Sequence, residues 1–324
     1  MDFRQLRYFV RIAELGNMTR ASESLSIAQP ALSQQIANLE AELGTRLFDR
    51  SVQGVRPTQS GDVLYRHAKS LLRQFDDVRA AVSSEAAHPS GRASIGIPGS
   101  TGKLLATPLL RSLSNAEGIL LEIVERPSAE LVDLVAGGKL DISIAVDAQP
   151  RRGVAIEPIL LEELYVVLPP EDARNKKSLR VKEIAQHPLI LPSVPSTIRQ
   201  RVEAAFLDEH LKYRLVSEVS ATDMLIRLVA AGLGWTVLPW SAIAGEVQHG
   251  SVAALPVTGR SLQRELALCV SDTLPLSRAA ELVRAAVIEI FDDLLASGQW
   301  TGVSTIAAPG RPAAALAARR RAGR

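Results

Sequence analysis

A proline-free helical pattern runs from Thr58 to about Ala87 and constrains this chain more than any other feature. Leu64, Ala68, Leu71, Phe75, Val78 and Val82 recur at alternating spacings of four and three, an a/d seam, while Arg66, Lys69, Arg73, Asp76, Asp77 and Arg79 fall off it. A lone helix of that length with one apolar stripe needs a partner, either its own chain or a second copy. Thr58 or Ser60 can cap its start, and His88-Pro89-Ser90-Gly91 ends it and marks a hinge. The helix divides the 324 residues into a small unit before it and a large one after it, which suits two or three domains.

In the small unit, Leu6, Phe9, Val10 and Ala13 give an amphipathic helix ending near Gly16. Thr19 is a candidate N-cap for a short second helix that Ser26-Ile27 interrupts. A third helix has Ala31, Leu32, Ile36, Leu39 and Leu43 as its buried stripe and stops at Gly44. Two helices joined by a tight turn, the second with a polar outer face, make the helix-turn-helix plan. That face carries Gln29, Ser33, Gln34 and Asn38, whose amides and hydroxyl suit base-edge reading, and Pro30 sits in the first turn where its missing N–H costs little. Thr19 and Arg20 adjoin it. Ser51 to Arg56 around Gly54 reads as a short β wing, with Arg50 and Arg56 placed to meet phosphates. The net charge is only +2, so DNA contact must come from arrangement rather than bulk charge. Periodicity alone leaves a helical protein-interaction module open.

The wording of this segment narrows the choice. Ala21-Ser22-Glu23-Ser24-Leu25, Ala28-Gln29-Pro30-Ala31-Leu32-Ser33-Gln34-Gln35-Ile36, Leu39-Glu40, Leu43-Gly44, Leu47-Phe48-Asp49-Arg50 and Pro57-Thr58 before Gly61 closely resemble the DNA-binding domain of LysR-type transcription regulators. Within that family the chain is most similar to the nitrogen assimilation control (Nac-like) regulators, through Ile27 to Gln35, Leu191-Pro192-Ser193, Ile198-Arg199 and Arg201-Val202-Glu203. The resemblance implies a homodimer, or a homotetramer, formed by pairing of the long helices on double-stranded DNA. As an activator such a protein contacts RNA polymerase.

From Arg92 onward strands alternate with helices: strands at 94–98, 120–125, 142–146, 164–168, 189–191, 215–219, 236–238 and 265–270, and a last helix from about Ser277 to Leu295. Such alternation implies parallel sheets. The resemblance extends here through Gly138-Lys139-Leu140-Asp141-Ile142, Ala231-Gly232-Leu233-Gly234 and Leu238-Pro239, and implies a two-lobed, periplasmic-binding-protein-like effector domain with crossovers near 161–165 and 263–267. The expected division is a winged helix-turn-helix over 1–60, linker helix and hinge over 61–90, effector domain over 91–298, and a low-complexity basic tail over 299–324. Ser100, Thr101, Ser128, Ser193, Ser196, Thr197 and Thr222 sit where strands hand over to helices. They can cap helices or meet an anion, and free helix N-termini in one cleft suit a small carboxylate without a buried cation. The nitrogen-control resemblance also allows that no effector is required.

Competing readings lack parts. Gly96, Gly99 and Gly102 follow a strand and Glu125 ends the next, which would allow an NAD(P)-binding oxidoreductase with pyrophosphate at Gly99. A solute-binding protein would leave the first sixty residues unexplained. His67, His88, His187, His210 and His249 are scattered with no metal-ligand spacing, and Glu162-Glu163 reads as a solvated face. No enzyme activity, metal or cofactor is expected. Cys269, the single cysteine, reads as a buried strand residue. The early residues lack the apolar stretch of a signal peptide, and no run approaches the about 20 apolar residues of a membrane helix, so a cytoplasmic protein is expected.

Overall fold

The computed structural model of the chain describes residues 1–51, 54–82, 90–114, 116, 118–259 and 262–306. Asp2 opens the first helix, α1 (Phe3–Leu15), with a capping box: its carboxylate accepts from the Gln5 N–H, and Gln5 Oε1 accepts from the Asp2 N–H. Gly16 ends it in the left-handed region, φ 61°. The cap of α2 (Met18–Ser24) is Asn17, which accepts from Arg20 N–H at 3.0 Å, and not Thr19, which lies exposed in the first turn. Asn is the stronger cap, and Thr19 stands two residues too late to reach that N–H. Helix α3 (Gln29–Leu43) follows, then the hairpin β1 (Phe48–Ser51) and β2 (Gly54–Pro57), then the long α4 (Gln59–Val82). Thr58 caps α4 by accepting from Gly61 N–H at 3.1 Å. Phe9, Ile12, Leu32, Ile36 and Leu39 are fully buried between these helices. Ala31 and Leu43, expected in the α3 stripe, are exposed: the three-helix core covers only the narrow row 32, 36, 39 and leaves the rest of α3 open. The expected continuation of the linker to Ala87 and the hinge residues His88 and Pro89 lie outside the described residues.

The remainder alternates as β3 (Gly91–Ile97), α5 (Gly99–Ser112), β4 (Ile119–Glu125), α6 (Ser128–Ala136), β5 (Ile142–Val146), β6 (Val154–Leu168), β7 (Leu179–Arg180), α7 (Val181–Ile184), β8 (Pro188–Pro192), α8 (Thr197–Asp208), β9 (Arg214–Val219), α9 (Thr222–Ala230), β10 (Thr236–Pro239), α10 (Trp240–Gln248), β11 (Ala253–Thr258), β12 (Gln263–Ser271), α11 (Arg278–Ala296) and β13 (Val303–Thr305). It forms two lobes. In lobe I, Ile95, Ile97, Ile142, Ile144, Leu160, Leu266 and Phe291 share a core; in lobe II, Leu164, Val166, Leu191, Ile226, Val237 and Leu262 share another. The antiparallel strands β6 and β12 run from one core to the other, passing between Leu160 and Leu164 and between Leu262 and Leu266.

The sheets are therefore mixed, and the expectation of purely parallel ones is corrected. Strand β3 pairs in parallel with β4 and β5, and β8 pairs in parallel with β9, whereas β12 lies antiparallel to β5 and β6, and β10 and β11 antiparallel to β6. The first ten residues of β6 escaped the sequence reading because Glu157, Pro158, Glu162 and Glu163 break its apolar run. Pro158 has no N–H for the ladder, and the register shifts beside it, opposite Leu266 and Ala267. The tail boundary at 299 is corrected too. Trp300 is buried on Phe291, and β13 pairs with β6; residues 307–324 lie outside the described residues. Five residues from Gln299 to Val303 were too short a signal against the alanine-rich stretch that follows. Cys269 is buried in β12, where burial pushes its thiol up to about 11. Among the described residues no helix is long and apolar enough to cross a membrane.

Candidate DNA interface and interlobe cleft

Helix α3 presents the polar face. Ala28 is its N-cap with no side-chain bond, and Pro30 follows within the first turn. Pro30, Gln34 and Asn38 stack at four-residue intervals, with Gln29 and Ser33 in the adjoining row. All are exposed except Ser33, which is half-buried; Thr19 and Arg20 on α2 are exposed as well. Gln34 Nε2 donates to Asn38 Oδ1 at 2.9 Å, which leaves Gln34 Oε1 and the Asn38 amide nitrogen for a base edge. In the hairpin Asp49 opposes Arg56 and Arg50 opposes Val55. Strand alternation then sends Arg50 and Arg56, both exposed, to opposite faces of the ribbon, with Asp49 beside Arg56. Sequence reasoning missed Glu40. Its Oε1 accepts from the N–H groups of Leu47 (2.7 Å) and Phe48 (3.2 Å), tying the wing to α3. An acidic residue in the last turn opposes the helix dipole, and that was the available signal.

The six seam residues of α4 divide. Ala68 is fully buried in the N-terminal core of its own chain beside Tyr65, with Leu64 packed on it. Leu71, Phe75 and Val78 are exposed by 41%, 36% and 61%, Phe75 resting on Phe3 with ring centroids 4.6 Å apart. The Val82 side chain lies outside the described ones.

Between the lobes lies a cleft of about 1020 Å³. Strands β3, β4, β8 and β9 end there, and α5, α6, α8 and α9 begin there. Ser100, Ser128, Ser193, Ser196, Thr197 and Thr222 all line it. Thr101 does not: it is fully buried, and its Oγ1 accepts from Arg264 Nη2 at 3.3 Å. Thr101 is the third residue of α5 and turns inward where Ser100 faces the cleft. Some hydroxyls are already engaged. Ser196 Oγ caps α8 by accepting from Arg199 N–H, and Ser128 Oγ accepts from Val146 N–H at 3.0 Å.

The cleft does contain a buried cation, against expectation. Arg264, 2% exposed, lies at its floor on β12, opposite Glu162 on β6, which is 0% exposed rather than solvated. Glu162 Oε2 accepts from Arg264 Nε (2.8 Å) and Nη2 (2.7 Å), while Oε1 accepts from Ser241 N–H (3.1 Å) and Trp300 Nε1 (2.7 Å). The carboxylate thus also satisfies a free N–H at the start of α10. Arg264 Nη1 donates to Ser100 Oγ at 3.0 Å and Nη2 to Ser241 Oγ at 3.3 Å. Three further ion pairs span the lobes. Arg201 on α8 grips Asp147 at the end of β5 through both guanidinium arms, Nε at 3.1 Å. Lys103 on α5 meets Asp223 on α9 at 2.8 Å and Glu246 on α10 at 2.5 Å. Burial works against the Lys103 ammonium, but hydrogen bonds and charge from Asp223 and Glu246 outweigh it and raise its pKa; the Lys103 hydrogen bond lowers that of Asp223.

The glycine run serves packing. A Cβ on Gly96 would meet Leu131 and Leu140 side chains at 2.5 and 2.8 Å. A Cβ on Gly99 would stand 2.4 Å from Glu125 Oε1, so a carboxylate already lies at the start of α5 where a pyrophosphate would have to sit.

Residues 86–292 match the family model described as LysR substrate binding domain, and residues 3–62 match the bacterial regulatory helix-turn-helix protein, lysR family. The chain belongs to the LysR family of transcriptional regulators. It is 35% identical to the nitrogen assimilation regulatory protein nac of Escherichia coli (strain K12), over 94% of this chain and 100% of that one. A full-length OxyR variant from Pseudomonas aeruginosa superimposes with a TM-score of 0.71 at 26% identity, covering 89% of this chain and 94% of that one. Full-length CbnR in complex with its target DNA shares the fold, with a TM-score of 0.59 at 22% identity over 90% of this chain and 99% of that one. The LysR regulator is thus a DNA-binding transcription factor, and the oxidoreductase reading is set aside.

Proposed function

We propose that this regulator reads operator half-sites as a symmetric dimer, or a tetramer built from dimers, and that a small anionic metabolite in the interlobe cleft biases the DNA-binding arms. Base reading falls to Gln29, Ser33, Gln34 and Asn38 on α3, with Pro30, Thr19 and Arg20 at its margin and Arg50 and Arg56 on phosphates. Leu71, Phe75 and Val78 offer the exposed stretch for pairing of two α4 helices, and two-fold symmetry suits two half-sites. The relative's name points to nitrogen control as the regulated process. A cytoplasmic location, a non-catalytic role and, for an activator, contact with RNA polymerase complete the reading.

One observation carries the sensing role: six hydroxyl side chains from strand-to-helix junctions of both lobes line one cleft. Each charge-assisted hydrogen bond from such groups contributes about 1.5–3 kcal/mol to an anion. A thermal-shift screen of the full chain against carboxylates, amino acids and nitrogen metabolites tests it. At least one compound should raise the melting temperature, and Thr222→Ala should diminish that rise; a screen with no shift removes the sensing role. A second reading is favoured by the Arg201–Asp147 and Lys103–Asp223 pairs, which hold the lobes together with protein groups alone. In that reading the lobes act as an oligomerisation surface without an effector. Genome-wide mapping of bound sites identifies the operator under either.

A further inference from the structure

Helix α6 joins the cleft to the linker helix. Along its first six residues Ser128, Ala129, Val132 and Asp133 line the cleft. Its inner face is firmly seated: Leu131, Val132 and Val135 are buried with Leu140, Ala145, Val154 and Cys269, and Gly96 on β3 gives Leu131 and Leu140 their room. At the other end the turn Gly137-Gly138-Lys139 is closed by hydrogen bonds from Gly138 N–H to Val135 O (2.9 Å) and from Lys139 N–H to Leu134 O (2.8 Å). Gly138 adopts φ 65°, and it abuts α4. A Cβ placed there would lie 3.1 Å from Cγ, 3.4 Å from Cα and 3.5 Å from Cβ of Arg66. The turn therefore meets the backbone of the linker helix and not merely the tip of a side chain. A nine-residue helix spans about 13 Å, so the cleft and α4 are one rigid element apart.

We propose that the Gly137-Gly138-Lys139 turn is a bearing for α4, and that α6 carries movement of the cleft through Gly138 and Arg66 to the DNA-binding arm. Gly138 and Arg66 are then positioning residues for DNA recognition. The proposal rests on the reading that the lobes govern the arm, and it needs no effector. A close-packed helix moves as a body, and close packing passes displacement on instead of absorbing it. A glycine at the contact leaves no side chain to yield by changing rotamer. The covalent connection through residues 83–89 is the competing route.

A disulfide between Arg66→Cys and Gly138→Cys separates the routes, because a Cβ separation of 3.5 Å lies within the disulfide range and the one native cysteine, Cys269, is buried. Asp147→Asn, which releases the interlobe grip of Arg201, supplies the cleft perturbation without any ligand. Affinity is read on a genomic DNA fragment recovered by genome-wide mapping. Oxidation should give an intrachain cross-link by mass spectrometry. Asp147→Asn should alter DNA affinity about three- to ten-fold in the native background and at least as much in the cross-linked protein, because a pinned contact still passes the movement on, whereas movement routed through residues 83–89 would be blocked by the cross-link. Arg66→Ala, which thins the contact and leaves Gly138 in place, should instead cut the Asp147→Asn effect to less than about two-fold. Two reactive thiols that never cross-link overturn the proposal. So does an Asp147→Asn effect that is absent, that vanishes in the cross-linked protein, or that Arg66→Ala leaves unchanged. A failed effector screen leaves every one of these readings intact.

Discussion

Gln34 and Glu162 show how differently single polar residues act in this chain. Gln34 is exposed, held by Asn38, and free to meet a base on its other edge. Gln34→Ala should cost about 1–3 kcal/mol on the specific operator and much less on random DNA, measured by titrating both with the same protein. Equal losses would reassign Gln34 to phosphate or to helix structure. Glu162 has every oxygen engaged and no exposure. Glu162→Gln leaves Arg264 buried without its counter-charge, and breaking such a pair costs about 3–5 kcal/mol. Thermal melting of the full chain should show a clear drop; an unchanged melting temperature would mean that water reaches the floor of the cleft. Neither Glu162 nor Arg264 was legible as a site in the sequence. Each is a charged residue in an otherwise strand-like run, and only the antiparallel register of β6 and β12 sets them opposite one another.

At the scale of elements, α4 has two jobs along its length. Its first turns complete the DNA-binding core through Tyr65 and Ala68, and its middle turns expose Leu71, Phe75 and Val78. Replacing Leu71 and Phe75 by glutamate should yield monomers in sedimentation and abolish operator binding. A variant that stays dimeric with native affinity would place the interface elsewhere. The a/d spacing was readable in advance, but which positions face the chain itself was not, because that depends on where α1 and the wing lie. The Lys103–Asp223 contact between α5 and α9 carries a pH dependence. A carboxylate whose pKa is lowered on folding contributes stability above its unfolded value, lost as pH falls through the lower folded value. The melting difference between the native chain and Asp223→Asn should therefore be steady from about pH 8 to 5 and shrink below about pH 4. A difference that persists in acid would show that Asp223 acts by packing rather than charge.

At the scale of the whole molecule, two lobes share two strands, and three sets of charges sit where those lobes meet. Arg264–Glu162 lies at the crossover itself, while Arg201–Asp147 and Lys103–Asp223 bridge the cleft. An effector shifts the lobes only as far as its affinity differs between their arrangements, so it must compete with those bridges. On the proposed sensing role, strengthening or removing a bridge shifts the same lobe equilibrium that an effector would bias. Helix α6 lines the cleft and leads into the turn whose Gly138 lies against Arg66 of α4, and on the proposed reading that turn is a point of entry from the cleft to the DNA-binding arm.

Periodicity and turn signals determined a helix-turn-helix, a long seam-bearing helix and an alternating α/β domain, because those properties are local, while the two-lobed arrangement came from the family resemblance. The strand-to-helix hydroxyls followed for the same reason: a helix start is visible in sequence, and parallel strands bring such starts to one edge. Tertiary structure alone decided that Asn17 and not Thr19 caps α2, that Thr101 turns away from the cleft, that Glu40 anchors the wing, and that Glu162 and Arg264 neutralise each other in the interior. Each of these depends on a partner far along the chain or on the direction of one side chain. Residue type and spacing do not encode that direction; packing imposes it.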